Sequence, residues 1–382
     1  MEQRMRGSSR RGGGGQLALT LASLGCGVVL VAGAPLAGAG ARVGLQACYS
    51  VIIPALFPFL ALAGFVASTP VAGVLSRWLG GLTSRLYGAP RALAPAVVLS
   101  WIGGYPAGAR VLSRMVAQGQ LTGKEAQRAL TFTIHSGPAF MAGVVGAAIF
   151  GSVRWGLWVF GCQLVAGVLT GRLLGGRGSW SVREAAPGAG APRPGVAAAF
   201  VQAVMDAATG TLAICAFVVL FSAVVEVLAG WGLLDWVAAG LVAGSGGLLT
   251  REGAVLLLRG LVEVCSGCAA AGSVHPAQAA LVLPFVLSFS SLSVICQVAS
   301  CFGGQGVGMG RLVLSRLVHG LLTGLLASPL LYSRMQAVAT FATGRPVLVS
   351  DGRTVAGSLC LLMMCAILFL TTDAGGNFTK SP

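Results

Sequence analysis

Charge is scarce in this chain. Only 9% of its 382 residues are charged, and 55% are hydrophobic, with a mean hydropathy of +0.86. Soluble domains carry about 25% charged residues, so a water-facing globular protein is excluded. The usual count of soluble domains from length falls with it. Acid is scarcer still, with 10 Asp and Glu against 25 Lys and Arg, and 23 of the 25 are arginine. On a soluble protein that excess suggests nucleic acid. Here the basic residues lie in short loops between apolar runs, as the positive-inside rule expects, so no nucleic-acid partner is expected. Histidine occurs three times, and most cysteines (Cys26, Cys162, Cys215, Cys296, Cys360) sit inside apolar runs, where they act as small hydrophobes. C-S-G-C at 265–268 has the spacing of a metal or redox pair but lacks a second pair. Without a nucleotide loop, a metal-ligand set or a nucleophile–base pair, neither an enzyme nor a metal or cofactor is expected.

Long apolar runs are what the chain has. A membrane span needs about 20 mostly apolar residues. Such runs fall at 16–39, 44–69, 129–151, 153–174, 205–230, 277–300, 312–333 and 355–373. Two more are interrupted, at 92–109 and 253–272. The pattern predicts an all-α polytopic membrane protein with about eight transmembrane helices plus two re-entrant hairpins. Residues 74–86 read as an amphipathic piece on the membrane surface. The first run follows a basic N-terminus, and small residues near Ala39 would suit signal cleavage. Its length and the many spans after it favour a retained helix.

Arginine sets the orientation. With the N-terminus in the cytoplasm and both interrupted runs returning to the side they left, the 77–91, 110–128 and 172–193 loops fall inside, with Arg311 and Arg316. If both runs crossed fully, the bias would weaken, so the charges favour hairpins.

The order of features repeats. Gln46-Ala47 and Gln202-Ala203 each open a span, and an interruption follows: I-G-G-Y-P-A-G-A, then V-E-V-C-S-G-C-A. E-A-Q-R-A-L and P-A-Q-A-A-L come next, each leading into a span broken by small polar residues. The two copies enter from opposite sides, which makes two inverted-topology repeats, an architecture of secondary transporters. The divisions are a basic N-terminus and first helix (1–43), a first repeat (44–174), a Gly/Pro-rich linker (175–195), a second repeat (196–310) and C-terminal helices (311–382).

Polar groups inside an apolar run need a reason. In the first interruption Gly103, Gly104 and Gly108 allow close backbone approach, Pro106 fixes a turn, and Tyr105 stands between them. His135, Ser136, Gly137 and Pro138 break the middle of a run, and Pro138 leaves a carbonyl that a solute, an ion or a water must satisfy. Glu263 is either an i to i+4 partner of Arg259 or a buried carboxylate able to carry a proton or a cation. Ser266 and Gly267 follow it. Ser288, Ser290, Ser291, Ser293 and Gln297 exceed what back-bonding serines explain and suggest a water-lined face. Asp206 is a weaker candidate, and Glu226 reads as interfacial.

The stretches I-P-A-L-F-P-F-L at 53–60, G-G-Y-P-A-G-A at 103–109, S-G-P at 136–138, E-V-C-S-G at 263–267 and S-S-L-S-V at 290–294 resemble those of the sporulation integral membrane protein YlbJ family. That family belongs to a wider group with nucleoside-recognition or gate domains. The resemblance covers about 250 residues. It implies a fold related to concentrative nucleoside transporters and a role moving dipicolinic acid into the developing spore across the outer forespore membrane. It departs from the pattern at His135 (for asparagine), Cys265-Ser266 (for threonine-asparagine) and Ser290-Ser291 (for a glycine pair). The expected partners are a small-molecule solute and the lipid bilayer, with a homo-oligomer left open. The coupling ion, a proton or sodium, is left open too, as is passive movement. The alternatives are a non-transporting scaffold for spore maturation and a nucleoside transporter.

Overall fold

The computed structural model describes residues 20–21, 24–25, 27–28, 31–69, 71–175, 179–182 and 195–339. The expected run at 355–373, and part of the one at 16–39, lie outside them. The described residues are mostly helical, with no strand among them. Five helices are long and apolar enough to cross a membrane: Ala34–Ser68, Val153–Leu174, Val196–Gly230, Pro276–Cys301 and Gly310–Gln336.

In chain order the elements are α1 (Ala34–Ser68), α2 (Val71–Tyr87), α3 (Ala94–Gly103), α4 (Tyr105–Ala117), α5 (Gly123–Ala129), α6 (Pro138–Ile149) and α7 (Val153–Leu174). Then come α8 (Val196–Gly230), α9 (Leu233–Gly244), α10 (Arg251–Val262), α11 (Val264–Ala271), α12 (Pro276–Phe289), α13 (Ser291–Cys301) and α14 (Gly310–Ala339). The expected gap between two spans at 39–44 is absent. α1 runs straight through it, with a π-helical turn at Cys48–Ile52. Nothing in A-G-A-R-V stops a helix, and Gly40 and Gly44 let α1 press onto α8 at Ser222 and Val219.

The run at 129–151 is not one span. Its helix stops at Ala129, and residues 133–137 have no regular helix before α6 resumes as a mainly π-helical segment. The run at 277–300 is two helices, divided at Ser290. The short apolar helix α9 was not expected. At 12 residues it extends only about 18 Å, short of a membrane's hydrocarbon core. The 35 residues of α8 extend about 52 Å, so α8 starts well before the expected 205.

At each interruption the two flanking helices pack on one another, α3 on α4 and α10 on α11. α3 begins beside Arg91, and α4 leads on to Glu125, whose Oε1 accepts from the Ser181 amide and hydroxyl, next to Trp180, which donates to the Gly88 carbonyl. α10 begins at Thr250, whose amide donates to Gln278 Oε1 at 3.1 Å just beyond α11. The loops of the first half meet through arginine. Arg172 donates to the carbonyls of Arg85 and Leu86, and Arg128 donates to those of Gly175 and Ser179. One apolar cluster joins α5, α6 and the two hairpins to α12, α13 and α14 through Leu130, Ile134, Met141, Val264, Cys268, Leu287, Val294 and Leu331.

Candidate functional site

Four helix breaks lie against this cluster, and each frees backbone groups that must be satisfied away from water. The first is Gly104, between α3 and α4. Its φ of 77° combined with ψ of −168° suits glycine alone, and a Cβ there would stand 3.2 Å from the amide nitrogen of Gly137. Gly103 and Pro106 flank this turn, and Gly108 backs onto the Thr133 carbonyl. Tyr105 donates its hydroxyl to the Leu287 carbonyl at 2.6 Å. That carbonyl is among the last four of α12, which the helix itself cannot pair.

The second break is the stretch before Pro138. Ser136 donates to Gln163 Oε1 at 2.6 Å, and the Gln163 amide donates to the same Leu287 carbonyl at 3.3 Å. Gly137 lies against Gly104. His135 is fully buried with both ring nitrogens unpartnered. Its ring meets His319 edge to face, with centroids 5.3 Å apart.

Arg316 holds this break from α14. It is completely buried and donates to the carbonyls of Ile134 at 2.5 Å and Thr131 at 2.8 Å. It also reaches His319 Nδ1 at 3.0 Å, while His319 Nε2 lies 2.9 Å from the Gln163 carbonyl. A carbonyl only accepts, so Nε2 carries the proton and Nδ1 accepts from the guanidinium. Arg316, counted from the sequence with the cytoplasmic charges, lies nearly two turns into α14 and faces protein. Arg316, His319 and Gln163 were all missed. The available signals were Arg-x-x-His on one helical face and a lone glutamine in V-F-G-C-Q-L-V.

The third break is Glu263, between α10 and α11. It is extended, with φ −146°, and its Oε2 accepts from the Ser266 amide at 2.6 Å, capping α11. Oε1 is buried without a partner. The expected Arg259–Glu263 pair does not form, because Glu263 has left the helix whose spacing would create it. Arg259 instead pairs with Glu226 on α8 at 2.5 Å. The Ser266 hydroxyl meets that of Ser222 at 3.2 Å. Gly267 packs directly on the backbone of Gly260, which closes the hairpin.

The fourth break is Ser290-Ser291, with φ of 77° and 62°. Serine adopts this region at a cost that glycine avoids. The Ser290 hydroxyl donates to the Ser288 carbonyl at 3.2 Å. Ser291 Oγ accepts from the Val294 amide, and the Gln297 amide donates to Ser293 Oγ, both at 3.3 Å. The expected water-lined face is closed in this conformation, since Ser288, Ser290, Ser291 and Ser293 are fully buried. Ser288 Oγ has no partner.

Asp206 stands apart from these breaks. It pairs with Arg114 and accepts from Gln202, while its backbone carbonyl takes a bond from Arg110. The seven described cysteines are free thiols, and no cluster among the described residues could hold a metal ion. Two pockets lie away from the breaks. One, of about 620 Å³, is an apolar groove between α1 and α8. The other, of about 530 Å³, is polar and lined by Lys124, Glu125, Arg128 and Arg311 among others. Burial raises the Glu125 carboxyl, but donors from Thr122 and Ser181 outweigh it and hold the group below its ordinary value.

The helices and their apolar faces define the class: an all-helical, multi-pass membrane protein. No family model matches the chain. It is similar to the sporulation integral membrane protein YlbJ of Bacillus subtilis (strain 168), with 24% identity over 303 aligned residues, 73% of this chain and 74% of that protein. That similarity supports assignment to the YlbJ family. A solved structure of CNTnw, a concentrative nucleoside transporter, in its intermediate 1 state matches with a TM-score of 0.54. It covers 81% of this chain and 87% of that one at 13% identity, so the likeness is one of fold.

Proposed function

We propose that this protein is a secondary transporter or facilitator of a small anionic solute, with dipicolinate moved into a developing spore across the outer forespore membrane as the leading case. The observation that carries this reading is the gathering of four helix breaks on one buried cluster. Broken helices in hydrocarbon are tolerated where they line a cavity or pack in protein, and in secondary transporters their ends hold solute and coupling ions. In this reading the two hairpins are re-entrant, the repeats around them are inverted, and the basic loops face the cytoplasm. The N-termini of α4 and α13 begin at breaks and direct positive dipole ends there, which suits carboxylates. The similarity to YlbJ supports the spore setting, and the fold likeness supports transport. Nucleosides remain the competing solute class.

The test is uptake of labelled dipicolinate into proteoliposomes, with labelled nucleoside as the comparison. Uptake above protein-free vesicles is expected for dipicolinate, and nucleoside uptake alone would replace the solute. The complete burial of the serine cluster favours a second reading, a non-transporting scaffold for spore maturation. Thiol labelling of cysteines placed along 286–298 in a cysteine-free background separates the two. Solute-dependent labelling marks a transporter, whereas a dry face under all conditions marks the scaffold.

A further inference from the structure

Residues 133–137 form no regular helix and Pro138 only opens α6, so the carbonyl of Ile134 has no helical partner. At such breaks secondary transporters commonly place a coupling cation on the freed carbonyls. Here the Ile134 carbonyl and that of Thr131 are both taken by the guanidinium of Arg316, at 2.5 and 2.8 Å. Its remaining contacts are His319 Nδ1 at 3.0 Å and Ser315 Oγ at 3.4 Å. Among the described residues no carboxylate pairs with it. A fully buried arginine without an acid is held by carbonyl dipoles, as a bound metal cation would be.

We propose that Arg316 is a resident cation that fills the coupling-ion position of the break before Pro138, so that this break takes up no sodium. Its effect on coupling rests on the transport reading above, whereas its occupancy of the carbonyls can be tested without flux. The charge is fixed to α14 and cannot be exchanged with solution. Any ion coupling must then arise elsewhere, and the unpartnered Glu263 Oε1 at the opposite hairpin is the free acidic acceptor.

The test is the melting temperature of the purified full chain in sodium, potassium and choline chloride at matched ionic strength. The wild type should melt alike in all three. A saturable, sodium-specific rise of about 2–4 °C in the wild type would overturn the proposal. The Arg316→Gln variant removes the charge and should gain a cation-specific rise of that size. A variant as stable as the wild type, with no cation response, would show that Arg316 holds nothing at the break. If Arg316→Gln does not fold, the wild-type comparison decides. Dipicolinate flux in sodium against choline separates the two proposals. Flux in neither medium removes the transport reading and leaves the melting result standing. Flux that collapses in choline removes the resident cation alone.

Discussion

The breaks at Pro138 and at Glu263 solve one problem with opposite charges. Before Pro138 the loose ends are carbonyls, and a buried arginine from another helix satisfies them. After Glu263 the loose ends are amides, and the glutamate itself turns back to cap the Ser266 amide. The arginine is nearly saturated, with four of its five N–H groups engaged. The carboxylate is not, since Oε1 has no partner. The difference suggests a division of labour. The first break is held by a fixed charge, and the second leaves one carboxyl oxygen without a partner.

The largest expected effect is from Arg316→Met, which leaves two buried carbonyls and His319 Nδ1 unpaired. At about 1–3 kcal/mol for each orphaned group, the loss should exceed about 3 kcal/mol by denaturant or thermal unfolding. A loss under about 1 kcal/mol would break the contrast between the two sites. Next comes Glu263. Glu263→Ala removes a helix cap and should cost about 1–2 kcal/mol. Glu263→Gln keeps an amide oxygen for the cap and should unfold close to wild type, while transport falls on the order of tenfold. If the two substitutions lower flux and stability in step, the free oxygen has no role of its own. Smaller again is Gln163→Leu, which strips the partner from Ser136 and one donor from the Leu287 carbonyl. It should cost about 1 kcal/mol, read as a shift in unfolding midpoint. The smallest is Arg251→Ala, which breaks an exposed pair with Asp235 and should change stability by less than about 0.5 kcal/mol.

The sequence made the breaks legible because glycine, proline and glutamate interrupt apolar runs where no water can replace a lost bond. G-G-Y-P, S-G-P and V-E-V each mark a break that the structure contains. The orphaned carbonyl before Pro138 followed from the same rule. Its partner did not follow, because loop counting assigns every arginine at the edge of an apolar run to water. Arg316 lies only a few residues inside α14, and the Arg-x-x-His spacing alone sets it apart locally from Arg311, which is exposed. The break at Ser290 was expected from the small polar residues there, but its left-handed backbone was hidden, since two serines carry none of glycine's signal. The expected Arg259–Glu263 bond failed because it assumed a continuous helix across the break.

The central claim is that these breaks form a path for a solute. The most direct measurement is uptake of labelled dipicolinate into proteoliposomes by the wild type, by Glu263→Ala and by the double variant Ser136→Ala/Gly137→Ala. The account predicts uptake above protein-free vesicles for the wild type and a fall on the order of tenfold in both variants. Equal uptake by all three proteins would contradict it.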